Sequence, residues 1–388
     1  MQNCKIISVV GARPNFMKIA PFIKAIENYN SIYCSSLRIV EHILVHTGQH
    51  YDVRMSESFF KELGIPNPDI NLEVGSGSHA EQVGNTMIEF EKVLQVHKPD
   101  WVVVVGDVNA TLACSVTAKK ECIKVCHIEA GLRSNDLTMP EEINRLVTDR
   151  LSDLLLTPDE ISSENLRKEG VPEEKIRFVG NIMIDTLEAN RVKAASLDLG
   201  KILCANISGG SKSNINIPGD NGYIAMTLHR PSNVDKKEIL NPLVNFLLNE
   251  VSKEFTLVWA VHPRTRKQLN KFGLWNEIAK DKNIVLLEPL GYHEMLRVTM
   301  GARLMMTDSG GLQEECCVLG IPCLTLRWNT ERPITLMENG GASILVGNDI
   351  ALMRRAYNSN ISQKTKPSRP VFWDGHVAER CLEEILKG

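Results

Sequence analysis

The sequence predicts an α/β protein built from two doubly wound parallel-sheet domains, and three observations carry the prediction. Short apolar, β-branched runs alternate with amphipathic segments along the whole chain, the pattern of strands feeding crossover helices. The alternation pauses once, at residues 196–222, "SLDLGKILCANISGGSKSNINIPGDNG", where Gly, Ser, Asn and Pro accumulate. The chain, at 388 residues, is longer than one core usually organises.

The strands are expected in order. "KIISVV", "IVEHILVH", "WVVVV", "IKVCHI", "DLLLT" and "IRFVG" form the first sheet, each followed by a helix-period stretch or a loop leading into one. The stretch 196–222 reads as an irregular excursion near a domain boundary, without helical periodicity. "YIAMTLH", "FTLVWAVH", "NIVLLEP", "RLMMT", "PCLTL" and "SILVG" form a second sheet. The expected domains are 1–185, joined by 375–388 as an amphipathic C-terminal helix crossing back, and 186–374. Two such sheets facing each other would leave a central cleft between their carboxyl edges.

Bulk chemistry narrows the function. Net charge is −3 with both signs interspersed, so no footprint for nucleic acid or an anionic membrane is visible. The ten cysteines contain no CxxC pair and no evident disulfide frame, which suits reduced thiols. Cys122, Cys126 and His127 lack the second ligand pair that makes a zinc pattern specific. "MQNCKIISVV" has no basic leader, and no apolar run approaches the roughly 20 residues that span a bilayer, so the expectation is a cytoplasmic protein. "GARPNFMK" follows the first strand in place of GxGxxG, and no GxxxxGK[ST] loop is present, which disfavours nicotinamide dehydrogenases and P-loop phosphotransferases.

Charged residues collect where strands end. Arg13 and Lys18 follow Gly11 around a helix start, either as solvated cations or as anion ligands beside free N–H groups. Asp107 follows "WVVVVG", where it either caps the next helix or does chemistry. Glu129 ends the next strand and is too long to be a favoured cap. Glu141 follows Pro140 in the first turn of a helix, while Glu142 points about a quarter-turn away and reads as a solvated acid. In the second half, His229 and Arg230 end a strand, and His262 repeats the arrangement with less support. "MMTDSGGLQEE" is the sharpest signal. Its two glycines let backbone N–H groups approach an anion, Glu314 and Glu315 offer acceptors to hydroxyls such as a ribose diol, and the competing reading is a glycine-rich turn with a Ser cap.

Taken in order, "GARPNFMKIAP", "TGQHYD", "GDVNATLA", "HIEAGLR", "MPEEINR", "LHRPSN", "TDSGGLQEE", "NTERP" and "DGHVAERCLEEIL" resemble the non-hydrolysing UDP-N-acetylglucosamine 2-epimerases over nearly the whole chain. The resemblance implies two Rossmann-like domains in a glycosyltransferase B-like fold. It implies epimerisation at C2 of UDP-N-acetylglucosamine to UDP-N-acetylmannosamine through loss and re-addition of UDP, with 2-acetamidoglucal as intermediate, in service of polysaccharide or glycoconjugate synthesis. A 2-epimerase of a UDP-2,3-diacetamido-uronate and a non-catalytic UDP-sugar sensor are the alternatives. By the same resemblance Asp107, Glu129 and Glu141 match the catalytic carboxylates and His229 the histidine near the leaving diphosphate. Arg13 and Lys18 match nucleotide-sugar contacts, Ser309, Gly310 and Gly311 the diphosphate turn, Glu315 the ribose acid, Arg332 a further substrate contact, and Leu290 a uracil-loop position. A homodimer is implied, with a UDP-sugar as partner and no cofactor or metal. Asp52 stands where members controlled by a second nucleotide sugar carry Gln.

Overall fold

The computed structural model describes residues 4–11, 13–33, 39–48, 64–208, 218–361 and 367–388, so Asp52 lies outside the described residues. The chain divides into two compact units, Met1–Ala189 with Pro370–Gly388, and Asn190–Arg369.

The first unit holds an all-parallel sheet in the order β3-β2-β1-β4-β5-β6-β7. Its strands are β1 (Cys4–Val10), β2 (Val40–His46), β3 (Ile70–Asn71), β4 (Trp101–Val105), β5 (Lys124–Ile128), β6 (Leu154–Thr157) and β7 (Ile176–Phe178). Strand β3 is a two-residue edge piece with no signal in the sequence. Helices α1 (Arg13–Ile32), α2 (His79–His97), α3 (Asn109–Lys120), α4 (Pro140–Leu151), α5 (Glu160–Lys168) and α6 (Ile182–Ala195) follow strands of this sheet.

Near-continuous apolar strands are needed because both faces of a parallel sheet are covered. Successive side chains point to opposite faces, and the two cores show it. Ile6, Val10, Val103, Val105, Cys126 and Ile128 pack with Phe16, Ile19 and Phe22 of α1. Ile7, Val9, Val102, Val104 and Val125 pack instead with Phe90 and Leu94 of α2 and with Cys114 and Ala118 of α3. The C-terminal helix Val377–Lys387 joins the first of these cores through Cys381, Leu382 and Ile385. Its first N–H groups are satisfied by Asp185 of α6, which accepts from Val377 at 3.1 Å and Ala378 at 2.7 Å.

The second unit contains a six-stranded parallel sheet, β10-β9-β8-β11-β12-β13. The strands are β8 (Tyr223–Thr227), β9 (Thr256–Ala260), β10 (Ile284–Leu287), β11 (Leu304–Thr307), β12 (Cys323–Thr325) and β13 (Ser343–Leu345). Helix α7 (Leu199–Asn206) precedes the sheet and corrects the expectation of an irregular 196–222. Asp198 caps it by accepting from Lys201 N at 3.0 Å, and Leu199, Ile202 and Leu203 put an apolar stripe against Tyr223, Ala225 and Val258. Three apolar residues on a two-turn helix are too few to stand out in a Gly- and Asn-rich window. No helix among the described residues is long and apolar enough to cross a membrane.

Both sheets reverse direction of winding at an inner strand pair, β1/β4 in the first unit and β8/β11 in the second. In open α/β sheets the loops that leave the carboxyl ends of such a pair diverge to opposite faces, which opens the crevice where ligands bind.

Candidate active site

In the first unit, α1 leaves β1 at this switch point and carries Asn15 and Lys18. Asn15 donates to Val105 O at 2.7 Å and accepts from Gly11 N at 3.2 Å, tying the ends of β1 and β4 together. Lys18 and Glu129 are both buried, and the lysine ammonium donates to Glu129 Oε2 in an ion pair. Glu129 has φ +73, a left-handed backbone that a non-glycine residue seldom adopts without a reason. Its N–H and that of Ala130 both donate to Leu156 O at 3.0 Å, so the end of β6 holds the reversal. Gly106, also left-handed at φ +70, lies over the pair: an added Cβ would sit 3.0 Å from Lys18 Nζ and 3.3 Å from Glu129 Oε2. A side chain there would push against the two buried charges. Arg13 opens α1, and its side chain lies outside the described part of the structure.

Asp107 does not cap the helix that follows it. Val108 is the cap residue of α3 and has no side-chain cap bond, while the Asp107 carboxylate accepts from Arg145 Nη1 and remains about a quarter exposed (26 %). Arg145 is buried and also donates through Nε to Glu142 Oε2 at 3.0 Å. Glu142 is therefore no solvated acid. It is 1 % exposed and accepts from Ser134 N, Ser134 Oγ at 2.9 Å and Asn135 N at 2.9 Å, pinning the loop after β5 to the first turn of α4. Despite its burial, these donors and the Arg145 guanidinium hold its carboxyl below the ordinary value. Glu141 is the exposed member of the two, with no hydrogen-bond or ion-pair partner among the described residues. The first unit thus gathers Lys18, Asp107 and Glu129 at the ends of β1, β4 and β5, with Glu141 on the helix whose Arg145 grips Asp107.

Sequence reasoning missed what stands behind this edge. His127, fully buried in β5, faces Asp149 Oδ1 at 2.6 Å through Nδ1 and the carbonyl oxygen of Gly106 at 2.9 Å through Nε2. Asp149 also accepts from Gly131 N at 3.0 Å and Arg133 Nη1 at 2.7 Å. Burial works against its charge, but His127 and Arg133 keep its carboxyl below the ordinary value. His127 fixes Gly106 and so the backbone that presents Asp107. The spacing of Glu142 and Arg145 by three on a helix was a readable signal of pairing; nothing local announced Asp149.

In the second unit, His229 follows β8 and Asp308 follows β11, again at the switch point. Asp308 is fully buried and does not point outward with its turn. It accepts from His229 N at 3.0 Å, Arg230 N at 2.8 Å and Asn233 Nδ2 at 3.1 Å, and its Oδ1 lies 2.7 Å from His229 Nδ1. Burial opposes its ionisation, yet the hydrogen bond and charge of His229 and the two backbone donors bring its carboxyl below the ordinary value. Helix α8 (Gly310–Leu319) is entered through Ser309, whose side chain makes no cap bond, so the Ser-cap reading of this turn does not hold. An added Cβ at Gly310 would lie 2.7 Å from Arg332 Nη1 and 2.9 Å from Glu331 Oε1, so a side chain there would displace this charged pair. Gly311 is the next residue of the same first turn, where N–H groups lack intrahelical acceptors.

Arg332 is buried, donates through Nε to Glu314 Oε1 at 2.6 Å and pairs with Glu331, so it is part of a charged cluster against the glycine turn. Leu290 is buried in the core cluster that also holds Tyr223 and Val285. Glu315 is buried beside Tyr292. Burial raises its carboxyl to about 8, a hydrogen bond from Tyr292 works the other way, and neighbouring Glu314 adds to the rise. Because the folded value exceeds that of the unfolded chain, this group's contribution is fully present below the ordinary carboxylate range and is lost as pH rises towards about 8. Melting temperatures of the free protein are expected to decline over that window, and Glu315→Gln to flatten the decline; an unchanged slope in the variant would place the titration elsewhere.

All-parallel, doubly wound sheets with charged side chains at their switch points define the class: a Rossmann-like α/β protein. The chain belongs to the UDP-N-acetylglucosamine 2-epimerase family, whose model matches residues 34–386. It is 41 % identical over 385 residues to the UDP-N-acetylglucosamine 2-epimerase of Methanocaldococcus jannaschii, covering 99 % of each chain. The crystal structure of an M. jannaschii UDP-GlcNAc 2-epimerase in complex with UDP-GlcNAc and UDP superposes with a TM-score of 0.86 at 40 % identity, covering 99 % of this chain and 100 % of that one. The chain is also 35 % identical over 386 residues to the UDP-2,3-diacetamido-2,3-dideoxy-D-glucuronate 2-epimerase of Pseudomonas aeruginosa, with 99 % of each covered.

Proposed function

We propose that this protein is a non-hydrolysing isomerase that interconverts UDP-N-acetylglucosamine and UDP-N-acetylmannosamine. The observation that supports the reading is the placement of Lys18, Asp107 and Glu129 just past the carboxyl ends of β1, β4 and β5, with Lys18 and Glu129 joined in a buried ion pair, in a chain that belongs to this family. The C2 hydrogen of a pyranose is not next to a carbonyl, so its direct removal is very difficult. Expelling UDP from C1 makes C1 electron-poor, and loss of the C2 proton then gives 2-acetamidoglucal. Reprotonation on the opposite face and return of UDP complete the inversion.

Asp107, Glu129 and Glu141 divide the proton transfers and stabilise the oxocarbenium-like charge. Lys18 keeps Glu129 in place and supplies positive charge to the edge, with Arg13 as the second cation. In the other unit the first turn of α8, Ser309 with Gly310 and Gly311, receives the diphosphate, His229 faces it, and Arg332 supports the glycine turn. Glu315 takes the ribose hydroxyls, and the backbone at Leu290 meets the uracil. Holding the expelled UDP close makes its return faster than its escape.

Proton NMR of the purified protein with UDP-N-acetylglucosamine in deuterated water tests the proposal. Deuterium at C2 together with UDP-N-acetylmannosamine is the expected result, and unlabelled, unchanged substrate would sink it for this sugar. The match to the Pseudomonas enzyme favours one rival, a UDP-2,3-diacetamido-uronate as substrate, and the same experiment with that sugar decides between them. Release of free N-acetylmannosamine and UDP would mark a hydrolysing enzyme instead.

A further inference from the structure

We propose that Asp308 is a positioning residue that holds His229 as a fixed, doubly protonated cation for the departing diphosphate, a role that neighbouring His262 is barred from by its own backbone contact. The inference rests on the assignment of His229 to the diphosphate. The two histidines look interchangeable in the sequence, each ending a strand ahead of proline-containing segments, and their rings lie 5.6 Å apart between centroids. Their hydrogen bonds make them opposites.

The carboxylate of Asp308 can only accept, and with two backbone N–H groups and the Asn233 amide already donating to it, it is held ionised. His229 Nδ1, 2.7 Å from Asp308 Oδ1, must therefore carry a hydrogen. His262 Nδ1 accepts from Arg264 N at 3.2 Å as the N-cap of the helix that begins at Pro263, so it carries none. To become a cation, His262 would have to give up that cap. To face an anion, His229 has no other course: with Nδ1 already bearing hydrogen, a neutral ring would turn the bare Nε2 lone pair towards phosphoryl oxygens. Its ring is 40 % exposed, and Nε2 has no partner among the described residues.

Asp308 offsets the cost of the second proton and fixes the ring plane, the division of labour that a buried aspartate performs for a catalytic histidine in acyl-transfer triads. The step balances without proton transfer to the leaving group. The C1–O bond breaks with its electron pair moving to the β-phosphoryl oxygen, a carboxylate of the first unit takes the C2 proton, His229 keeps both ring hydrogens and hydrogen-bonds to the diphosphate through Nε2–H, and re-addition reverses the sequence. The same aspartate grips the backbone of both His229 and Arg230, so the turn after β8 and the glycine turn after β11 are held in register by one side chain.

The test uses the full chain and two readouts. In ¹⁵N-histidine-labelled protein saturated with UDP, with His229 assigned by loss of its signal in His229→Asn, both ring nitrogens of His229 are expected to be protonated. Asp308→Asn is expected to abolish that state. A bare nitrogen in the wild-type complex, or an unchanged spectrum in the variant, overturns the proposal. In turnover, Asp308→Asn is expected to lower kcat about 10²-fold or more while KM moves little. The double variant with His229→Asn is expected to be no slower than His229→Asn alone, because Asp308 acts through that ring. An equal further loss in the double variant means a merely structural role and also overturns it. If the wild-type protein turns over no UDP-sugar, the proposed function fails, and the ring-nitrogen readout still judges this inference.

Discussion

Glu129→Gln is expected to abolish turnover and to destabilise the protein, two effects with separate origins. Removing one acid–base partner from such a reaction costs about 10²- to 10⁴-fold in rate. The stability loss comes from Lys18, whose ammonium is left buried without its carboxylate, a break that typically costs about 3–5 kcal/mol. UDP affinity, measured by titration calorimetry, is expected to stay near wild type, because the proposed UDP contacts come from Ser309, Gly310, Gly311 and Glu315. Replacing both partners, Lys18→Met with Glu129→Gln, is expected to return much of the lost melting temperature and none of the activity. A variant that keeps its turnover would remove Glu129 from the chemistry. One that loses only UDP binding would assign it to the ligand.

The adjacent acids of "PEEINR" are expected to separate completely. Glu142→Gln turns an amide towards Arg145 and removes a buried charge on which Ser134, Asn135 and Arg145 converge, for a loss of about 3 kcal/mol. Glu141→Gln changes an exposed side chain and is expected to stay within about 0.5 kcal/mol of wild type in stability. Turnover reverses the order of interest: Glu141→Gln is expected to lose about 10²-fold or more in kcat while fully folded. Circular-dichroism melts beside kcat for the two variants read this directly. A thermally silent Glu142→Gln would contradict the Arg145 bridge. A fully active Glu141→Gln would take that residue out of the acid–base set.

Much of the architecture was legible because a parallel sheet covered on both faces writes itself as apolar runs, and runs such as "WVVVV" and "LLLT" have no exposed face to interrupt them. Acids and cations at strand ends were legible for a related reason: a charge immediately after a buried run must lie at the sheet's rim. What misled was one-dimensional reasoning about direction. Glu142 looked solvated because its neighbour occupied the favoured first-turn position, whereas the rotation of α4 against the loop after β5 turns Glu142 inward to Arg145. Helix α7 was lost because its three core residues, Leu199, Ile202 and Leu203, sit in a window dominated by turn formers.

The sequence by itself determined the alternation of strands and helices, the strand ends where charged residues collect, and the family, because local apolar periodicity and ordered motifs are properties of neighbouring residues. Only the tertiary structure decided the partners: Lys18 with Glu129 across 111 positions, Arg145 with Asp107 across 38, and the Asp308 side chain turned back on the His229 backbone across 79. Such pairings depend on how each helix is rotated against its sheet and on which loops the winding reversal brings together. The choice is set by burial, where an unpaired charge is too costly to leave alone.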